Sequence, residues 1–79
     1  MTVLFFAHAR EVAGTSRACF DCPGATIEQL VGQLGATFGP DLAKVIESSR
    51  TWVNGFPASP GTILHAGDEV AVLPPVSGG

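Results

Sequence analysis

Apolar and polar positions change their period several times along the chain, and each change marks an element. Thr2 to Ala7 is dense in Val, Leu and Phe and lacks Gly and Pro. This predicts a short strand buried on both faces, with Val3 and Phe5 turned one way and Leu4 and Phe6 the other. After a polar link through Arg10, Glu11 and Gly14, Ser16 to Cys22 alternates as a second strand, with Ala18, Phe20 and Cys22 on one side and Pro23-Gly24 as its stop. Thr26-Ile27-Glu28-Gln29 then places Thr and Gln at the spacing of a capping box, and Ile27, Leu30, Val31, Leu34 and Phe38 recur at helical spacing. Gly32 and Gly35 weaken that helix by about 1 kcal/mol each relative to alanine, unless they admit a close neighbour. Gly39-Pro40 closes it, and a shorter helical turn is expected from Asp41 to Glu47, where Leu42, Val45 and Ile46 are apolar.

Asn54-Gly55, set between Val53 and Phe56, is the strongest hairpin signal in the chain. Pro57 and Pro60 confine the next stretch to an edge or a loop. A second turn at Ala66-Gly67-Asp68 leads into a final strand, Glu69 to Leu73, with Val70 and Val72 on one face and Ala71 and Leu73 on the other. The order strand, strand, helix, hairpin, strand predicts an α+β fold in which a mixed sheet packs on one main helix, spanning residues 1–73 and followed by an extended tail, 74–79. One helix covers one sheet face, yet the first and last strands are apolar on both. The second face is therefore expected to meet a partner near Leu4, Phe6, Ala71 and Leu73.

Composition narrows the classes. A chain of 79 residues makes one domain, which at this size buries only about 60% of its unfolded surface. Charged residues are 14% of the chain, against about 25% in typical domains, so the surface has room for apolar contacts. The net charge is -3, and the fixed cations Arg10, Arg17, Lys44 and Arg50 are scattered, which argues against a nucleic-acid partner. No apolar run approaches the ~18 residues of a membrane span, and no basic segment precedes a signal-type core, so a cytoplasmic protein is expected.

Candidate chemistry is sparse within the domain. Cys19 and Cys22 form a C-x-x-C, but residues three apart on a strand point to opposite faces, so a disulfide between them needs a large distortion. A zinc site needs further ligands that the distant His8 and His65 do not supply, and no metal is expected. The two histidines have neither a nucleophile nor a carboxylate dyad beside them in the sequence and are read as surface or contact residues.

The tail differs. Leu73-Pro74-Pro75-Val76-Ser77-Gly78-Gly79 ends in a bare diglycine. Pro74 and Pro75 fix φ and restrict the residues before them, so the tail is expected to leave the last strand extended. Gly78 and Gly79 lack a Cβ and can enter a channel too narrow for other residues. From Val76 the tail reaches roughly 13 Å at full extension. The carboxylate of Gly79 is the candidate reactive group.

Taken together, Val3-Leu4-Phe5-Phe6-Ala7 with Arg10-Glu11, Val53-Asn54-Gly55, and Gly67-Asp68-Glu69-Val70 running into Leu73-Pro74-Pro75-Val76-Ser77-Gly78-Gly79 resemble the small subunits of molybdopterin synthase. These are sulfur carriers of the ubiquitin-like β-grasp superfamily, and the resemblance covers essentially the whole chain. It implies a β-grasp domain with a flexible diglycine tail, and a cycle acting on Gly79. An ATP-dependent activating adenylyltransferase would adenylate the carboxylate, and a sulfurtransferase or persulfide donor would convert it to a thiocarboxylate. The large synthase subunit would then receive the tail and pass the sulfur to a cyclic pyranopterin precursor, with Phe6 and Leu73 packing against that subunit. No cofactor would be bound permanently, since ATP is consumed by the activating enzyme, and the chain would not turn over substrate alone. His8 and Trp52 depart from the commoner pattern. Two alternatives use the same terminal chemistry: sulfur carriage for thiamin thiazole or cysteine, and a ubiquitin-like modifier joined to lysines through Gly79.

Overall fold

The computed structural model describes residues 1–74. Its elements in chain order are β1 (Thr2–Phe5), α1 (Ala7–Ala13), β2 (Arg17–Cys19), α2 (Ile27–Phe38), α3 (Pro40–Glu47), β3 (Arg50–Val53), β4 (Phe56–Pro57) and β5 (Glu69–Leu73). The strands form one mixed sheet in the order β2-β1-β5-β3-β4. β1 and β5, the first and last strands among the described residues, lie side by side and parallel at its centre, with Val3 opposite Val70 and Phe5 opposite Val72. The other pairings are antiparallel.

The core lies between the sheet and the helices. Val3, Phe5, Val70 and Val72 supply its floor, Ile27, Leu30 and Leu34 descend from α2, Leu42 and Ile46 from α3, and Ala9 from α1; all are buried. Phe5 meets Phe38 edge to face, with ring centroids 5.7 Å apart, a favoured aromatic geometry. The capping box predicted for α2 is present in both halves: the Gln29 N–H donates to Thr26 Oγ1 at 3.2 Å, and the Thr26 N–H donates to Gln29 Oε1 at 2.9 Å. Gly35 has a packing reason. A Cβ there would stand 3.2 Å from Ala43 Cβ, so the missing side chain lets α3 approach α2 closely.

Three expectations need correction. The first strand ends at Phe5, and the stretch expected as a polar link is a helix, α1. Phe6 is still extended, at φ -123° and ψ 153°, and Gly14 caps the helix in the left-handed region at φ 75°. His8, Arg10 and Glu11 face solvent, which gives the segment its polar look, while Ala9 is buried and Val12 and Ala13 pack against the core. Burial on both faces of β1 is not found either: Val3 and Phe5 are buried and Leu4 only partly so. The second strand stops at Cys19 instead of Cys22, although Ala18, Phe20 and Cys22 all pack on the core as their alternation required. The helix layer therefore has three members rather than one main helix with a shorter turn.

The Asn54-Gly55 hairpin forms as expected, with positive φ at both residues, 51° and 84°. β4 is only Phe56–Pro57, the Ala58 N–H still donates to the Thr51 carbonyl at 2.9 Å, and Pro57 leaves the outer side of this edge strand without a donor.

Candidate functional site

Successive side chains on a strand point to opposite faces, so the core residues of β1 and β5 put their neighbours on the outer face. Leu4 lies opposite Ala71 in β5, and Ala71 lies opposite Trp52 in β3. These three form one row across the middle of the sheet. The next row toward the tail holds Leu73, opposite Arg50, and Phe6, whose N–H donates to the Val72 carbonyl at 3.2 Å and so extends the β1–β5 pairing by one residue. Phe6 is 44% exposed, while Leu4, Ala71 and Leu73 are partly buried.

All four residues expected at an interface are thus brought together on one uncovered face. Three neighbours on that face were not among them: Trp52, Arg50 and, opposite Leu4 on the edge strand, Arg17. Alternation within Arg50–Val53 separates two faces, but only the β3–β5 register says which of the two is open.

Pro74 follows Leu73 directly and is exposed. The chain therefore departs from the sheet at the edge of the apolar row. The expected reactive and tail residues Pro75, Val76, Ser77, Gly78 and Gly79 lie outside the described residues.

At the opposite end of β5, two turns are fastened together. Asn54 Nδ2 donates to Asp68 Oδ1 at 2.9 Å, the Glu69 N–H donates to Asn54 Oδ1 at 2.9 Å, and the His65 N–H donates to Asp68 Oδ2 at 2.8 Å. These donors, the His65 N–H first and the Asn54 amide next, hold the Asp68 carboxyl below its ordinary range, because each stabilises the ionised form.

Elsewhere the described residues offer little chemistry. His8 Nδ1 is 3.4 Å from Glu11 and His65 Nδ1 is 3.7 Å from Asp68; both rings are exposed, and neither has a nucleophile among these partners. Cys19 and Cys22 are free thiols, the first exposed, and the Cys22 thiol instead approaches Met1 Sδ at 3.8 Å. Among the described residues no three His, Cys, Asp or Glu side chains converge as metal ligands, and no helix is long and apolar enough to cross a membrane. An open cavity of about 580 Å³ beyond β3 is walled by Ile27, Val31, Ile46 and Pro57, with Glu28 and Glu47 at its margins, and holds no paired acid and nucleophile. The arrangement is suited to docking a partner beside the tail.

Comparison with known proteins gives the family. The sequence profile described as "ThiS family" matches residues 3–79. The chain belongs to the ThiS family. This ThiS-family chain is 40% identical to the molybdopterin synthase sulfur carrier subunit of Chlamydomonas reinhardtii, an alignment that covers 98% of the chain and 95% of the relative. Among solved structures it is similar to a putative molybdopterin converting factor, subunit 1, from Pyrococcus furiosus, with a TM-score of 0.83, 26% identity and 95% of each chain covered. It is also similar to SAMP1 of Haloferax volcanii, with a TM-score of 0.77 and 33% identity over 99% of this chain and 97% of that one. The architecture is the ubiquitin-like β-grasp, as expected from the sequence.

Proposed function

We propose that this chain is the sulfur-carrying small subunit of a molybdopterin synthase, acting through the carboxylate of Gly79. The observation that carries the proposal is the apolar outer face, Leu4, Phe6, Ala71 and Leu73, placed where the chain leaves the sheet toward its diglycine. Relatives of nearly the same length that bear the name of sulfur carrier subunit support it.

A carboxylate resists nucleophilic attack, so it must first gain a leaving group. An ATP-dependent adenylyltransferase joins the Gly79 carboxylate to AMP and releases pyrophosphate. A persulfide sulfur then displaces AMP, and a thiol cleaves the resulting acyl disulfide to leave the thiocarboxylate. Docking of the outer face on the large subunit aims the tail into that subunit's pocket, where the sulfur is given to a cyclic pyranopterin precursor. The partners are cytoplasmic enzymes in this scheme, and the chain contributes the sulfur and its delivery.

Incubation with ATP, an activating enzyme and a sulfur donor should produce the mass gain of one terminal oxygen replaced by sulfur, read by intact-mass spectrometry. An unchanged mass with active partners, or conversion that persists after deletion of Gly79, would overturn the proposal.

The likeness to structures named small archaeal modifier protein 1 raises a second function, which the relatives named sulfur carrier subunit do not favour. A modifier would join its terminal carboxyl to lysines of other proteins. Lys44 is the only lysine in the sequence, so growth of chains on itself has one available site. Recovery of the protein covalently linked to cellular targets, absent when Gly79 is deleted, distinguishes this role from sulfur carriage.

A further inference from the structure

The Asn54-Gly55 turn has a chemistry that neither the docking face nor the tail uses. In an Asn-Gly pair the backbone nitrogen of the glycine can attack the side-chain amide carbon of the asparagine, and glycine hinders this least because it has no Cβ. The Gly55 N–Cγ bond forms, the Cγ–Nδ2 bond breaks and ammonia leaves. Water then opens the resulting succinimide at one carbonyl to give aspartate or at the other to give isoaspartate. Water is the only co-reactant.

The fold opposes this reaction in two ways. Positive φ at Asn54 and Gly55, 51° and 84°, is the signature of a type I′ turn. As the mirror image of type I, it sets ψ of the first central residue at about +30°. At that angle the Gly55 nitrogen lies nearly across the Cα–C bond from Asn54 Cβ, whereas ring closure needs both on the same side. The side chain is also held at both ends, with Nδ2 donating to Asp68 Oδ1 and Oδ1 accepting from the Glu69 N–H, each at 2.9 Å. The Asn54 N–H is fixed as well, donating to the Glu69 carbonyl at 2.8 Å.

We propose that Asn54 is a latent deamidation site, kept unreactive by its clasp with Asp68 and Glu69 and modified when that clasp opens. The modification then prevents reclosure. An aspartate at this position has no Nδ2–H to donate and sets a second carboxylate against Asp68, a like-charge contact that disfavours the closed state. Isoaspartate adds a main-chain carbon to a two-residue turn, which the I′ geometry does not accommodate. Asp68 also accepts the Thr2 N–H on its backbone carbonyl, so the lesion loosens β3, β5 and β1 together, at the end of the sheet away from the tail.

The test tracks Asn54 by peptide mass mapping and an isoaspartate-specific methyltransferase at mildly alkaline pH, using the full chain both folded and in concentrated urea. Conversion is expected in urea and should be slower in the folded chain by at least about tenfold, equivalent to about 1.4 kcal/mol of opening. Asp68→Ala should recover most of that factor while circular dichroism stays native, and Asp68→Asn, which keeps the shape, should fall between. If neither variant folds, the comparison of folded and urea-treated wild type decides. Equal rates in those two states, no conversion in urea, or folded variants that deamidate no faster than wild type would overturn the proposal.

Discussion

Phe5 and Phe6 are sequence neighbours of identical chemistry with opposite employment. Phe5 is 1% exposed and packs under α2 against Phe38, while Phe6 is 44% exposed on the far side of the sheet. The same alternation sorts Val70 and Val72 from Ala71 and Leu73 in β5. One face of these two strands holds the domain together, and the other is left apolar outside the core. A hydrophobic residue is thus no guide to its role until the sheet says which side it is on.

The contrast can be broken most severely on the inner side. Phe5→Ala should cost about 3–5 kcal/mol, most of the stability of a domain this small, and urea melts should show it largely unfolded. Phe6→Ala sharpens the comparison from the other direction. It should change folding stability by less than about 1 kcal/mol yet weaken binding to the large synthase subunit by about 2 kcal/mol, as a central aromatic contact does. Calorimetric titration that finds unchanged affinity would reject the docking face. Thr26→Ala, which removes half of the capping box, touches neither face and should cost about 1 kcal/mol in the same melts.

The smallest effect belongs to Asp68. Its carboxyl titrates below the ordinary value in the fold, so its contribution is present above the unfolded value of about 3.9 and is lost as pH falls through the folded one. Asp68→Asn should therefore lower the neutral plateau slightly and remove a share of the acid-side decline, seen in melts repeated from neutral pH down to about 3.

Much of this was legible in the chain because it rested on local chemistry. Thr26 and Gln29 reach each other within one helical turn, Asn54-Gly55 makes its own turn, and Val70 and Val72 alternate with Ala71 and Leu73 without help from elsewhere. Helix α1 was not legible. It has seven residues, too few to persist on propensity alone, and it is held by the packing of Ala9, Val12 and Ala13 on the core. Solvent-facing His8, Arg10 and Glu11 disguise it. Trp52, Arg50 and Arg17 were missed as members of the outer face for a related reason: their side of the sheet is settled by pairing with distant strands. The uncovered face itself could be inferred, since one layer of helices cannot cover two sides of a sheet.

The sheet order has a consequence for how the protein is made. β5 lies between β1 and β3, so before it is added the sheet exists only as two unconnected halves, β2-β1 and β3-β4. Its strand partners are the first in the chain and one from the second half, and closing contacts of such long sequence separation comes late in folding. The ribosome must therefore release β5 before the centre of the sheet can zip. A chain truncated before β5 has no finished sheet from which the docking face could be built.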